Sequence, residues 1–511
     1  ARDDSRAMST VELRGTNRRT LAMTIRSAGV ATVIQYASYL LVAPVVFATA
    51  GSATFGAWAT VSSILAVGAL ADAGLRLELS RRVADAAGAS DPERLRRTVH
   101  EGTSVLAWVA LGVLVVGCLA APLIRVFAFP SGLLHLSGGE ADLLLRATFV
   151  LLAVSLLTDG YFAVLRGIQR ADVETNSRSL GLVAGVLVSI GGLELGWGIW
   201  ALLAGAAAMD AVSIAMQALG VRRVIPEVPF RLVSLRGTAW RNLLGFSSLA
   251  LLSQLSDVVD SQWDKIVLSR YVGSNAVAGF QIGTTLVLQA KALALLPVAP
   301  LLVAIAELRF RDRERVAALM RLLSSATFAM AALTLSGVVV FAPAFFRIWL
   351  VQSLPTAVVS ARLFTVAIAL NLLAAPLAYR ALAEGRHRLT AIAAMTNIVV
   401  NAGASFALTL LIGFKGPLYG SIVGNACGTI VFMALMAPHV DLHELFRAWR
   451  AVVVGVAASC LALAVGAGEV ESWVGLAGAA AVFVAVVGPI LCWVERVPVR
   501  DLLRRDVELL D

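Results

Sequence analysis

Polar and acidic side chains recur at helical spacing inside a long apolar part of the chain. Gln254, Asp257, Asp260 and Asp264 follow one another at steps of three or four residues, which places them on one face of an α-helix. A charge in apolar surroundings costs free energy unless it is paired or reaches water. We therefore expect this face to look into a polar cavity or onto a partner of opposite charge.

Lys291 is a candidate partner, because it is the only lysine or arginine near the middle of an apolar stretch. Asp257 precedes the predicted turn at Gly273 by 16 residues and Lys291 follows it by 18, so at about 1.5 Å per residue their depths differ by roughly 3 Å. One interpretation is a buried ion bridge between two helices. The other, which we favour because a buried pair stabilises little more than apolar packing, is a cavity lysine that attracts an anion and is oriented by Asp257.

Further candidates occur in other apolar stretches. Gln35 and Tyr39 lie in the first stretch, and Asp159, Asp210 and Asn371 are expected to face inward. We include Gln35, Tyr39 and Asp159 with the central residues above as a predicted substrate path.

Three charged residues are predicted near the outer ends of their stretches. For Asp264, beside Lys265, a structural role at the helix end and a cation site both remain open. Arg146 and Arg362 occupy equivalent outer positions, where arginines either guide an anion or extend to lipid headgroups.

No metal site is expected. The four cysteines lie in apolar stretches without CxxC spacing, and His439 and His443 have the spacing of a metal pair but no further ligands nearby. We therefore expect the cysteines to be small packing residues and no cofactor to be bound.

The composition excludes a soluble protein. Of the 511 residues 59% are hydrophobic and 15% are charged, and the mean hydropathy is +0.83, whereas soluble domains contain about 25% charged residues. The apolar stretches are each long enough to cross a membrane, and they predict an all-α integral membrane protein with about fourteen transmembrane helices. The predicted spans are 27–49, 54–74, 102–123, 147–166, 178–194, 197–219, 242–268, 275–304, 322–345, 360–379, 389–412, 417–437, 451–468 and 472–494.

The basic residues predict the orientation. Lysines and arginines favour the first tail, the even-numbered loops and the last tail by about five to one over the other side. Both termini are therefore expected in the cytoplasm. The same rule accounts for the net charge of +9 without a nucleic-acid partner.

The first twelve spans contain an internal repeat. Asp91-Pro92-Glu93-Arg94 recurs as Asp312-Arg313-Glu314-Arg315, and other matches, such as Arg146 with Arg362, keep the offset between 216 and 223. Each copy has six spans, so both cross the membrane in the same direction and form a parallel repeat. We expect a basic tail (1–26), a first six-helix lobe (27–219), a linker (220–241), a second lobe (242–437), two extra helices (451–494) and a last tail (495–511).

Three segments carry a resemblance to a known group. DKIVLSRYVGSNAVAGF (264–280), LRGIQRADVETNSRSLGLV (165–183) and ALAEGRHRLTAIAAMTNIVVNAGASFALTLLIGFKGPLYGSIVGNACG (381–428) resemble the multidrug/oligosaccharidyl-lipid/polysaccharide exporter superfamily, most of all its polysaccharide flippase (Wzx-type) branch. The resemblance implies two lobes that open alternately to the two sides of a bacterial inner membrane. The implied substrate is an undecaprenyl-diphosphate-linked oligosaccharide, with membrane lipids and polysaccharide polymerase or export machinery as further partners.

Alternatives on the same scaffold are an ion-coupled multidrug or small-molecule exporter and a lipid II flippase. Both usually have charge in the first span, where this chain has none, and a membrane glycosyltransferase would need acidic residues on a sizeable outer loop. The sequence has no GxxxxGK[ST] nucleotide-binding motif, so we expect transport to be driven by a proton or sodium gradient or by consumption of the product.

Overall fold

The computed structural model describes residues 18–68, 73–89, 91–130, 132–224, 262–296, 298, 313–350, 354–384, 386–439 and 449–495. The regular structure in these ranges is helical, without a strand, and each of the fourteen predicted spans overlaps a described helix. Nine helical segments in these ranges are long and apolar enough to cross a membrane. The predicted all-α membrane architecture is therefore confirmed.

The chain forms two compact units, Ala1–Gln254 and Leu255–Asp511. The described helices of unit 1 are α1 (Arg18–Thr49), α2 (Gly51–Gly68), α3 (Ala73–Gly88), α4 (Pro92–Ala128), α5 (Gly138–Gly167), α6 (Ala171–Glu194) and α7 (Ile199–Val224). Those of unit 2 are α8 (Asp264–Tyr271), α9 (Ser274–Ala294), α10 (Arg313–Leu350), α11 (Pro355–Ala383), α12 (His387–Ile412), α13 (Gly416–Met436), α14 (Trp449–Ala464) and α15 (Trp473–Val494).

Local sequence signals set several helix ends. The Asp91 side chain accepts the Arg94 backbone N–H at the start of α4, and Pro92 needs no partner at that position. Ser137 and Glu140 form a reciprocal capping box at the start of α5. Gly273, with φ of 113°, makes the sharp turn between α8 and α9. Polar capping residues therefore define where apolar helices begin.

The two units repeat the same helix packing. In unit 1, α4 packs on α5, α6 on α7, and α1 on α6; in unit 2, α10 packs on α11, α12 on α13, and α8 on α12. The described starts of α2, α4, α5, α6 and α7 differ by 216 to 223 residues from those of α9, α10, α11, α12 and α13, as in the sequence repeat. Helices α14 and α15 pack on α10, where Phe341 and Phe483 lie edge to face at 5.6 Å.

Predicted spans differ in extent from the helices observed, as at 54–74 and 275–304. Helix α2 covers the first of these as far as Gly68, and a separate charged helix, α3, begins at Ala73. Helix α9 covers the second as far as Ala294, Leu295 and Leu296 form a turn, and Val298 is again helical. The rest of 297–304 lies outside the described residues.

Candidate functional site

A buried polar cluster lies where α8, α12 and α13 meet in unit 2. Asp264, at the start of α8, is fully buried, and its Oδ2 accepts a hydrogen bond from Ser421 Oγ on α13 at 2.9 Å. Asn425 donates to the Ser421 carbonyl at 2.9 Å, and Ser405 donates to Asn401 Oδ1 on α12 at 2.9 Å. The predicted aspartate is thus bonded to a hydroxyl group in a buried region where α12 and α13 also carry amide side chains.

Close approach of α12 and α13 brings these groups together. A Cβ added at Gly424 would lie 2.6 Å from Asn401 Cβ and 2.7 Å from Asn397 Oδ1. One at Gly420 would overlap Ser405. Gly416, Gly420, Gly424 and Gly428 follow one another at four-residue steps, the pattern that lets membrane helices touch along their backbones. This glycine stripe was visible in the sequence and would have identified the α12–α13 contact.

Lys265, next to Asp264, is also buried, at 7% exposure, and its Nζ donates to Gln262 Oε1 at 2.7 Å. Two adjacent opposite charges therefore lie in one buried region, with each side chain bonded to a different neutral partner. This arrangement offsets part of the cost of burying either charge.

Lys291 is half-buried in the last turn of α9. Its carbonyl accepts the N–H of Leu295, the residue that follows the last residue of α9. Within the described ranges Lys291 has no ion pair. Its expected partner Asp257, together with Asp260 and Gln254, lies outside the described residues.

Asp159 is in contact with a residue that the sequence analysis treated only as part of a basic loop. Its Oδ1 lies 3.1 Å from Arg76 Nη1, which joins α5 to α3. One turn earlier on α5, Ser155 donates to Oδ2 of the buried Asp210 on α7 at 3.1 Å. In the sequence, Arg76 lies between two leucines at the start of α3. A charged residue between apolar neighbours was the available signal that Arg76 needs a partner such as Asp159.

The remaining predicted residues are dispersed. On α1, Gln35 is exposed and Tyr39 is half-buried. Arg146 is exposed on α5, and Arg362 donates from Nε to the Val339 carbonyl on α10 at 3.2 Å. The two arginines lie eight and seven residues inside their helices, about 10 to 12 Å from the helix starts, so neither is at the helix end itself.

No group of three or more His, Cys, Asp or Glu residues that could hold a metal ion occurs in the described ranges. The four cysteines are free thiols.

Comparisons with known proteins agree with this architecture. Residues 24–306 match the family described as polysaccharide biosynthesis protein. No curated protein matches the sequence significantly. Among solved structures, the lipid II flippase MurJ in an inward closed conformation is 13% identical, with a TM-score of 0.70 over 94% of this chain and 99% of that one.

Two further solved structures share the fold. An inward-facing multidrug resistance MATE family transporter of the MOP superfamily is 16% identical, with a TM-score of 0.61 over 81% of this chain and 94% of that one. A MOP superfamily transporter from Pyrococcus furiosus Vc1 is 15% identical, with a TM-score of 0.55 over 86% of this chain and 97% of that one. It is described as having a binding pocket of reverse polarity. At these identities the likeness shows the fold alone. Since the family match covers more than half of the chain, the protein belongs to the polysaccharide biosynthesis protein family and has the fold of MOP superfamily transporters.

Proposed function

We propose that the protein is a flippase that moves an undecaprenyl-diphosphate-linked oligosaccharide from the cytoplasmic to the outer leaflet of a bacterial inner membrane, for surface polysaccharide synthesis. The family match at 24–306 is the observation that carries this proposal. The fold shared with a lipid II flippase supports transport of a lipid-linked sugar in preference to a glycosyltransferase reaction. The mechanism we propose is alternating access.

Lys291 is the residue that we propose attracts the diphosphate in the translocation path. A doubly phosphorylated headgroup has to cross a region where an unpaired charge is costly, and a cation at intermediate depth lowers that cost. Its half-buried position in the last turn of α9 supports this role. We propose that Asp257, Asp260, Gln254, Gln35, Tyr39 and Asp159 line the same path, with Arg146 and Arg362 nearer its outer end.

The test of this proposal is complementation of a flippase-null strain. Lys291→Ala is expected to leave the protein inserted but nearly abolish polysaccharide export, and Lys291→Arg to retain part of it. Lys415→Ala is the matched control, because Lys415 is an exposed lysine in the short turn between α12 and α13. Normal export by a stably expressed Lys291→Ala protein would contradict the assignment of Lys291, and failure of the wild type to restore export would contradict the proposed function.

We also propose that transport is coupled to a proton or sodium gradient through Asp264. The fully buried carboxylate and the hydroxyl of Ser421 bonded to it have the chemistry of a site that alternates between an occupied and an empty state. A proton binds one carboxylate oxygen alone, whereas sodium binds carboxylate and neutral oxygens together, so Asp264 suits either ion. The same cluster also suits an ion-coupled small-molecule exporter, the second candidate. That function predicts altered drug susceptibility in the strain without restored polysaccharide export.

A further inference from the structure

Three arginines surround one phenyl ring in unit 1. The Cζ atoms of Arg76, Arg166 and Arg178 lie 4.8, 4.7 and 5.9 Å from the ring centroid of Phe162. The arginines come from α3, α5 and α6, and the ring is buried at 6% exposure. Cations within about 6 Å of an aromatic ring face are attracted to it. Three helices therefore bring three like charges to one point, which requires compensation by anions.

Asp159, Glu174 and Asp210 lie near these arginines and match their charge, but they leave hydrogen-bond donors of the guanidinium groups unused. Arg76 is paired with Asp159, but Arg166 Nε lies 3.8 Å from Glu174 Oε2, beyond hydrogen-bond distance. Arg178 is exposed and, within the described ranges, has neither a hydrogen bond nor an ion pair. Asp210 also faces Arg178, but its Oδ2 already accepts from Ser155. Guanidinium N–H donors thus remain for an anionic ligand.

The fold does not require these charges. The ends of α5 and α11 and the starts of α6 and α12 are 216 residues apart, and the two helix pairs occupy equivalent places in the repeat. At that offset the cluster residues Asp159, Phe162, Arg166, Glu174 and Arg178 are replaced by Ala375, Ala378, Leu382, Thr390 and Ala394. Unit 2 therefore packs the same helices without charge at these positions. A ligand specific to unit 1 explains why the charges are present there.

The three arginines lie towards the ends of their helices. Arg166 is in the last turn of α5, and Arg178 is seven residues from the start of α6, about 10 Å along the helix. The positive-inside rule assigns this end of the helices to the cytoplasm.

We propose that Arg76, Arg166 and Arg178 form a binding site for the diphosphate headgroup of an isoprenoid lipid at the cytoplasmic end of unit 1. Planar guanidinium groups bind phosphate oxygens through pairs of hydrogen bonds, and a diphosphate has enough oxygens to engage three of them. This inference rests on the proposed function, because it assigns the capture of the lipid-linked substrate to a site other than Lys291.

The test is binding of geranylgeranyl diphosphate to the purified full-length protein in detergent. The wild type is expected to bind saturably, and Arg178→Gln to raise the Kd by roughly tenfold or more, as for loss of a charge-assisted hydrogen bond. The Kd of Arg178→Lys should lie between those of the wild type and Arg178→Gln. Arg223→Gln is the matched control, because Arg223 is an exposed arginine in the last turn of α7 outside the cluster. No binding by the wild type, or equal weakening in both Gln variants, would overturn the site.

A second variant separates binding from helix packing. Glu174→Gln removes an anion that competes with the ligand for Arg166. The Kd of this variant for geranylgeranyl diphosphate should therefore be lower than that of the wild type. If the cluster only joins helices, Glu174→Gln would lower the unfolding temperature and leave the Kd unchanged or raised, and that result overturns the proposal. Arg178→Gln must keep the wild-type unfolding temperature for its Kd to count.

Binding of other phosphate compounds tests whether the site prefers an isoprenoid diphosphate. Geranylgeranyl monophosphate and inorganic pyrophosphate are expected to bind more weakly than the diphosphate lipid, and phosphatidylglycerol in nanodiscs should not displace it. Displacement by phosphatidylglycerol would overturn the isoprenoid assignment. Binding is measured separately from transport, so the two proposals can fail independently. If the wild type restores export but its binding does not depend on Arg178, the site is rejected and the proposed function stands. If binding depends on Arg178 but the wild type does not restore export, the proposed function is rejected and the site stands.

Discussion

At the scale of single residues, unit 1 and unit 2 place buried charge differently. Unit 2 buries Asp264 among the neutral polar groups of α12 and α13. The positions equivalent to Asn397 and Asn401 in unit 1 are Gly181 and Gly185, at the repeat offset of 216. Unit 1 has its charged groups on α3, α5 and α6 instead. The two copies of one fold therefore offer different chemistry.

The first residue-scale prediction concerns ion coupling. Asp264→Asn removes the charge of the carboxylate that accepts the Ser421 hydrogen bond and should make export independent of the ion gradient. We expect export to fall by about an order of magnitude, the scale of a coupling free energy of about 1–3 kcal/mol. Export is measured in cells while sodium concentration and pH are varied.

Ser421→Ala should weaken the same coupling less, because the carboxylate remains. Ser459→Ala is its control, since Ser459 is a buried serine that bonds only within α14. Ion dependence that is unchanged in Asp264→Asn would reject the coupling role.

A second residue-scale prediction concerns Glu78 on α3, which is 1% exposed and accepts hydrogen bonds from Arg81 at 2.9 and 3.0 Å and from Arg82 at 2.7 Å. Burial raises the pKa of Glu78, but these bonds lower it by more, so the pKa lies below its ordinary 4.5. The ionised form therefore stabilises the fold above that pH, and the stabilisation is lost as pH falls through the lowered pKa.

Glu78→Gln is expected to reduce the free energy of unfolding by about 1 kcal/mol at pH 7. The deficit relative to the wild type should shrink below about pH 4.5. This difference in stability is measured by thermal unfolding of the two purified proteins at a series of pH values. Asp85→Asn is the control, because Asp85 pairs with Arg81 while half-exposed and should matter little. A deficit that is independent of pH would refute the account.

At the scale of helices, the contact between α12 and α13 positions the polar cluster of unit 2. Gly424→Ala should destabilise the protein by about 1–3 kcal/mol, because its Cβ would overlap Asn401 and Asn397. Thermal unfolding and export should both decline. Gly403→Ala on α12 is the control, since a Cβ there meets nothing within 4 Å. Equal unfolding temperatures and equal export in Gly424→Ala and Gly403→Ala would show that α12 and α13 are not tightly packed at Gly424.

At the scale of the whole molecule, the arginine-rich loops predict which side each connection faces. In a variant without the four native cysteines, His135→Cys between α4 and α5 should react with a membrane-impermeant maleimide in intact cells. Ala89→Cys between α3 and α4 should react only after lysis. Both positions are exposed, so access to the reagent decides the result. The reverse pattern would invert the predicted orientation.

The sequence by itself determined the helical membrane class, and it predicted the order of the spans and a twofold repeat of six spans each. These properties depend on hydropathy, on the distribution of arginine and on residue spacing, all of which are local or periodic along the chain. It also selected Asp159 and Asp264 as unusual, because an acid inside an apolar stretch is costly wherever the helix packs.

The tertiary structure decided which groups meet. Asp159 pairs with Arg76, 83 residues away, and Asp264 with Ser421, 157 residues away. Neither pair has a sequence signature, because helix packing brings together residues that are far apart in the chain. The structure likewise places Lys291 in the last turn of α9, which ends at Ala294. The convergence of three arginines on Phe162 needed three helices in place, since spacing along one helix cannot encode it.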